Sequence, residues 1–129
     1  NINGNKVVVN KSQKGTFEFL SDLKNFEQLM PESIQKFEVD GDSFIFGLKG
    51  MPEIRLVLKE KTEYSNITLG AASSKLNFEL VADITKIDDT SSEVQLEFNG
   101  KFNAMMAMMV KRPLTSFIET LTNNLEGLS

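Results

Sequence analysis

The chain has two regimes of hydrophobic spacing. From Ile34 to Asn99 apolar residues recur with period two, and from Ala104 to Leu125 they recur with the period of a helix. In the first regime Phe37 and Val39 share a face before Asp40-Gly41, a two-residue hairpin signal, and Phe44, Phe46 and Leu48 continue on the next strand. Gly50 and Pro52 mark the following turn. Ile54, Leu56 and Leu58 then share a face opposite Arg55, Lys59 and Lys61, and a break at Tyr64-Ser65-Asn66 leads to Ile67 and Leu69. After a loop from Ala71 to Lys75, Leu76, Phe78, Leu80, Ala82 and Ile84 alternate with Asn77, Glu79 and Asp83. Beyond the polar turn Asp88-Asp89-Thr90-Ser91, Val94, Leu96 and Phe98 alternate with Glu93, Gln95 and Glu97. Such alternation predicts antiparallel strands with one wet and one buried face.

Before this meander, Lys6 to Lys11 is β-branched and reads as a first strand. Ser12 caps a short helix from Gln13 to Ser21, with Gly15 where a capping-box Glu would sit and with Phe17 and Leu20 as its apolar face. Asp22 or Asn25 caps a second short helix carrying Phe26, Leu29 and Met30, ended by Pro31. After the meander, Val110, Leu114, Phe117, Leu121 and Leu125 fall within roughly 100° of arc on a wheel that starts at Met106. Met105 and Met108 fall at about 260° and 200° on that wheel, among the charged residues. Three explanations stay open for them: a helix start that rotates inward, a ligand portal, or a subunit contact. Pro113 lacks an amide hydrogen and its ring crowds the Met109 carbonyl, so a kink is expected there.

A single sheet with one apolar face needs a cover, and the C-terminal helix, about 33 Å long at 1.5 Å per residue, is the element long enough to supply it. The expected fold is α+β: one domain spanning residues 1–129, with a curved antiparallel sheet of six or seven strands around that helix. Its concave face combines Phe37, Phe44, Phe46, Leu48, Ile54, Leu56, Leu58, Leu69, Phe78, Leu80, Val94, Leu96 and Phe98. Met106, Met109, Val110 and Phe117 face it from the helix, with Met105 at the helix start as a further ligand-contact candidate.

Composition narrows the chemistry. The chain has ten Phe, one Tyr and no Trp, so most of its rings need no buried hydrogen-bond partner. It has no His and no Cys, which excludes Ser-His-Asp and Cys-His nucleophilic systems and removes the side chain most often used for acid–base work. Glu79, Asp83 and Glu97 sit on the wet phase of their strands. The pairs Asp88-Asp89 and Asp40-Asp42 fall in turns, where Asp bonds to local backbone, and neither predicts a metal site or a cofactor. Asn66-Ile67-Thr68 matches a glycosylation sequon but reads as a strand start, and Tyr64 reads as a surface turn residue. A net charge of −4 with scattered cations lacks the footprint of a nucleic-acid binder. The apolar run Ala104–Val110 is far short of the ~20 residues that span a bilayer. No signal peptide is visible, and the expectation is a cytoplasmic protein without stable membrane insertion.

The order strand, two short helices, meander and long C-terminal helix resembles the helix-grip fold of the START/Bet v 1-like (SRPBCC) superfamily, over nearly the whole chain. The carriers are FEFLSDLKNFEQLMP, with Leu20, Asp22, Leu29 and Pro31 in place; FIFGLKG, similar to the third strand of that fold; and KRPLTSFIETL at the end of its helix. The resemblance is to small bacterial-type members of the polyketide cyclase and lipid-transport group. It implies a cavity between sheet and helix that takes a lipid-like or polyketide-like molecule. An apolar concave face without ionisable groups favours binding without catalysis. Two alternatives remain open: a cyclase or dehydratase using a stray Arg55, Glu53 or Arg112, and an interaction module that forms a homodimer through Met105 and Met108.

Overall fold

A computed structural model describes residues 2–50, 53–72, 78–100 and 104–128, so the expectations for Pro52, Lys75, Leu76 and Asn77 lie outside the described residues. The elements are β1 (Ile2–Asn3), β2 (Val7–Val9), α1 (Gln13–Ser21), a 3₁₀ helix (Leu23–Leu29), β3 (Lys36–Asp40), β4 (Ser43–Gly47), β5 (Ile54–Thr62), β6 (Asn66–Ala71), β7 (Phe78–Asp88), β8 (Ser91–Gly100) and α2 (Ala104–Glu126). All pairings are antiparallel, in the order β1-β8-β7-β6-β5-β4-β3, with β2 also paired to β8. The meander and its helical cover stand as the hydrophobic periods predict.

The first edge differs from the expected single strand Lys6–Lys11. It shrinks to β2, and β1 pairs separately with β8, Ile2 lying opposite Phe98 and Val7 opposite Val94. Between them the Gly4 amide donates to the Leu96 carbonyl at 2.8 Å. A Cβ on Gly4 would lie 2.7 Å from Thr122 Oγ1 and 3.2 Å from the Leu96 oxygen, so the edge passes under α2 at a distance only glycine allows. The sheet therefore has seven lateral positions, one of them shared by β1 and β2.

Local chemistry explains the two short helices. Ser12 Oγ accepts from the Gly15 amide at 3.0 Å, capping α1, and Asp22 accepts from the Lys24 amide at 3.2 Å where α1 gives way to the 3₁₀ helix. The second element is thus a 3₁₀ helix rather than an α-helix, and it buries Leu23, Phe26 and Leu29. The Asn124 side chain donates to the Leu29 carbonyl at 2.8 Å, fastening the 3₁₀ helix to α2, and the Gln13 side chain donates to the Ile84 carbonyl at 3.2 Å, fastening α1 to β7. Beneath α1, Ser92 gives its hydroxyl hydrogen to the Lys11 carbonyl, so Thr16 is the donor in their 2.7 Å bond. Both hydroxyls are buried and satisfied.

Two turn features shift positions relative to the sequence reading. The β3–β4 turn is Gly41-Asp42 rather than Asp40-Gly41, because Asp40 is already paired with Ser43; Gly41 takes φ +59°, the conformation a primed turn requires at its first central position. In β5 the register shifts between Leu58 and Glu60, after which Lys61 pairs with Ile67. A bulge reverses facing along a strand, so Lys61 lies on the concave side with Ile67 and not opposite Leu56 and Leu58 as period two predicts.

The core joins the concave face to α2. Val110, Leu114, Phe117, Ile118, Leu121, Thr122 and Leu125 are buried along the helix. Ile118 and Thr122, absent from the apolar stripe read from sequence, extend its arc to about 140° and move its centre away from the methionines. Met106 consequently sits at the margin, partly buried, and the expectation that Met109 faces the sheet is corrected: it is 55% exposed. Met105 and Met108 are 74% and 82% exposed, so the inward-rotating start does not occur. The helix runs unbroken through Pro113.

Candidate ligand-binding site

The concave wall is built from alternate residues of antiparallel strands, and cross-strand pairing puts them side by side: Phe44 opposite Leu56, Leu58 opposite Leu69, Leu69 opposite Leu80, and Leu80 opposite Phe98. Phe44, Phe46, Ile54, Leu56, Leu69, Phe78, Leu80, Val94, Leu96 and Phe98 are buried there, as are Val110 and Phe117 on the helix side. Phe37, Leu48, Leu58 and Met106 are partly buried against the same core. Met105 and Met109 alone among the candidate ligand contacts stand in solvent.

α2 packs most closely on β1, β2, β8 and the 3₁₀ helix. Over the rest of the concave face side chains span the gap. Phe46 stacks on Phe117 with centroids 4.8 Å apart and rings inclined by 10°, and Phe117 lies 6.2 Å from Phe98, which meets Phe78 edge-on at 5.6 Å. On the other side Phe46 is 6.0 Å from Phe44, which contacts both Phe26 and Phe37. These rings form one continuous path from the 3₁₀ helix to the far end of β7 and β8. Seven of the ten Phe, residues whose abundance suits a dry wall, thus build the bridge between the two layers.

The two ends of the layer differ. Phe46 lies opposite Ile54, Leu56 opposite Ala71 and Phe78 opposite Gly100, so the last residues of β4, β6 and β8 and the first residues of β5 and β7 gather at one end, where α2 begins. The other end is shut by α1, the 3₁₀ helix and the last turns of α2, with Leu20, Phe26, Leu29, Leu121 and Leu125 all buried.

No Asp, Glu, Lys or Arg is buried among the described residues. The polar groups considered for catalysis lie elsewhere. Arg55 donates to Ser43 Oγ at 2.6 Å from the convex face, Glu53 is an exposed partner of Lys36 at 3.4 Å, and Arg112 is exposed on the outer side of α2. Glu79 and Asp83 are exposed and Glu97 is half-buried on the convex phase. Asn66 donates to Asp83 at 2.9 Å and accepts from Thr68 at 2.9 Å, consistent with a strand start. Among the described residues no three acidic, His or Cys side chains converge as metal ligands.

A second, more polar depression was not legible in the sequence. An open groove of about 450 Å³ lies between α1 and the β5–β6 turn, lined by Phe17, Glu18, Ser21, Asp22, Lys61, Glu63 and Tyr64. Tyr64 is not a free surface residue, since its ring meets Phe17 edge-on at 5.4 Å. A hydrogen bond to the Glu63 carboxylate, with the charges of Glu63 and Glu18 nearby, holds its phenol above the ordinary tyrosine value. The bulge in β5 is what turns Lys61 into this groove, a non-local event without a sequence signal.

The architecture is a helix-grip fold, a curved antiparallel sheet around a long C-terminal helix, and it is similar to solved structures that include a START superfamily protein and a norcoclaurine synthase. The chain matches no protein-family model, and no curated protein sequence matches it. Solved structures do match. A START superfamily protein from Mycobacterium smegmatis is 15% identical, with 98% of this chain and 94% of that one covered at a TM-score of 0.66. A norcoclaurine synthase point mutant from Thalictrum flavum, solved with a transition-state analogue, is 12% identical over 98% and 91% of the chains at 0.67. The XoxI protein from Bacillus cereus is 9% identical over 97% and 96% at 0.63. At these identities the likeness establishes the fold. No helix among the described residues is long and apolar enough to cross a membrane.

Proposed function

We propose that the protein binds a small lipid-like or polyketide-like molecule, without catalysis and in the cytoplasm, between the concave sheet and the first half of α2. The observation that carries this reading is the wall itself: every described side chain buried on it is apolar or hydroxylic, and Lys61, the cation that the β5 bulge brings to the concave side, stays exposed at its edge. Such a lining offers contact area without an acid or base, which is what retention of an apolar molecule requires and proton transfer does not. The end of the sheet where α2 begins, with Met106 partly buried in its first turns, is the entrance in this reading. Norcoclaurine synthase shares the fold with an analogue bound, which supports a pocket in this architecture while leaving its occupant to the residues present here. The site comprises the buried concave residues together with Met106, and Met105 and Met109 touch the ligand only as it enters.

Native mass spectrometry of the full chain purified from cells tests the reading. The expected result is a retained apolar mass that organic solvent releases and that Val110→Trp, which adds bulk one turn from Met106 on the sheet-facing side of α2, excludes while the fold persists by far-UV circular dichroism. A chain of bare mass that also fails to take up a fluorescent fatty acid would falsify it and leave a solid-packed scaffold.

A further inference from the structure

The outer face of the first turns of α2 presents a surface that the interior does not use. Met105, Met108 and Met109 are 74%, 82% and 55% exposed. They share about 100° of arc with Arg112 and Ser116, opposite the buried stripe. Residues 104–118 contain Lys111 and Arg112 and no Asp or Glu, a local charge of +2 on a chain whose net charge is −4. Neither cation forms an ion pair with a described residue. A shallow groove of about 480 Å³ runs from Met108 past Lys111 and Arg112 to Glu119, the first carboxylate of the helix. Exposed Lys49, two residues beyond β4, adds a cation at the same end of the sheet.

We propose that this face docks on an anionic membrane surface, with the methionines entering the boundary between headgroups and acyl chains and with Lys111 and Arg112 on the lipid phosphates. An exposed apolar cluster flanked by unpaired cations on one helix face is the composition that binding in the plane of an interface requires. Long Lys and Arg stems let the charged ends reach headgroup level while the helix lies flat.

A second copy of the chain fits less well. Two antiparallel helices centred on Met108 bring methionine to methionine but set Lys111 and Arg112 against Met105 and Ala104. Centring them between Thr115 and Ser116 pairs Arg112 with Glu119 but sets Met108 against Asn123 and Met105 against Glu126. A two-fold contact satisfies either the apolar group or the charges, whereas a flat anionic surface satisfies both. The proposal stands whether or not the interior holds a ligand.

Co-sedimentation of the full chain with vesicles tests it, using phosphatidylcholine alone and an equal mixture with phosphatidylglycerol. The protein is expected to pellet with the anionic vesicles at low salt and to be released as salt rises. Lys111→Ala with Arg112→Ala should weaken binding about 30-fold, at roughly 1 kcal/mol per cation near such a surface. Met108→Gln should weaken it further while circular dichroism stays unchanged. Because the chain has no Trp, the emission of Met108→Trp reports burial directly and should shift to the blue with anionic vesicles only. Absence of pelleting at low salt, binding indifferent to these variants, or a concentration-dependent dimer abolished by Met108→Gln would each overturn the proposal. Vesicle binding by a chain of bare mass that also takes up no fluorescent fatty acid would sink the ligand reading alone.

Discussion

The two ends of the molecule are built from the same kinds of side chain and treat them in opposite ways. At the closed end, α1, the 3₁₀ helix and the last turns of α2 bring Leu20, Leu29, Leu121 and Leu125 to complete burial. Two side-chain amides clamp that end, Asn124 to the Leu29 carbonyl and Gln13 to the Ile84 carbonyl. At the end where α2 begins, three large apolar side chains remain in water. The difference teaches where stability and exchange reside: the closed end holds the dense packing from which foldedness comes, and the other keeps apolar surface available for something outside the chain.

The comparison breaks most visibly at its centre. Phe117→Ala removes the ring that bridges Phe46 and Phe98, and is expected to cost about 3–5 kcal/mol in denaturant unfolding. A loss below ~1 kcal/mol would mean that the sheet and helix are not joined there. Gly4→Ala comes next, at about 1–3 kcal/mol, because the new methyl presses on Thr122 Oγ1 and the Leu96 carbonyl. Adding Thr122→Ala should recover part of that loss, and strictly additive effects would show that the edge and the helix do not touch.

At the other end, Met108→Ala is expected to change stability by less than ~0.5 kcal/mol, since little of its side chain is removed from water in the fold. A large loss would mean that the methionine face is already covered in solution. The smallest effect belongs to the β7–β8 turn. There the amide and hydroxyl of Thr90 and the hydroxyl of Ser91 donate to Asp88, holding its carboxylate below the ordinary value of 3.8. A lowered folded pKa gives stability that is present above the unfolded value and lost as pH falls through the folded one. Asp88→Asn should therefore leave a slightly flatter stability profile on acidification, and an unchanged profile by thermal unfolding would discount those bonds.

Much of the architecture was legible because it depends on spacing. Alternation from Phe78 to Ile84 and from Val94 to Phe98 put the buried face where it lies, Ser12 and Asp22 announced the two helical starts, and Val110 to Leu125 located the gripping helix. The concave wall of the candidate site is legible to the same depth because its burial follows from alternation, while the exposure of Met109 is not, since its wheel position depends on Ile118 and Thr122 finding partners beneath the helix. Nothing in the sequence marked Thr122 for burial, because a threonine's place is set by what approaches it, here the bare backbone at Gly4.

What the sequence determined by itself was local: the periods of its elements, the residues able to make their turns, and an alternation that keeps titratable side chains out of the buried positions among the described residues. The tertiary structure alone decided how those elements meet. It placed the bulge that turns Lys61 inward, split the first edge at Gly4, and rotated α2 so that Met105, Met108 and Met109 face water. Each of these depends on register and close approach between segments far apart in the chain, and short-range hydrophobic periodicity carries no information about either.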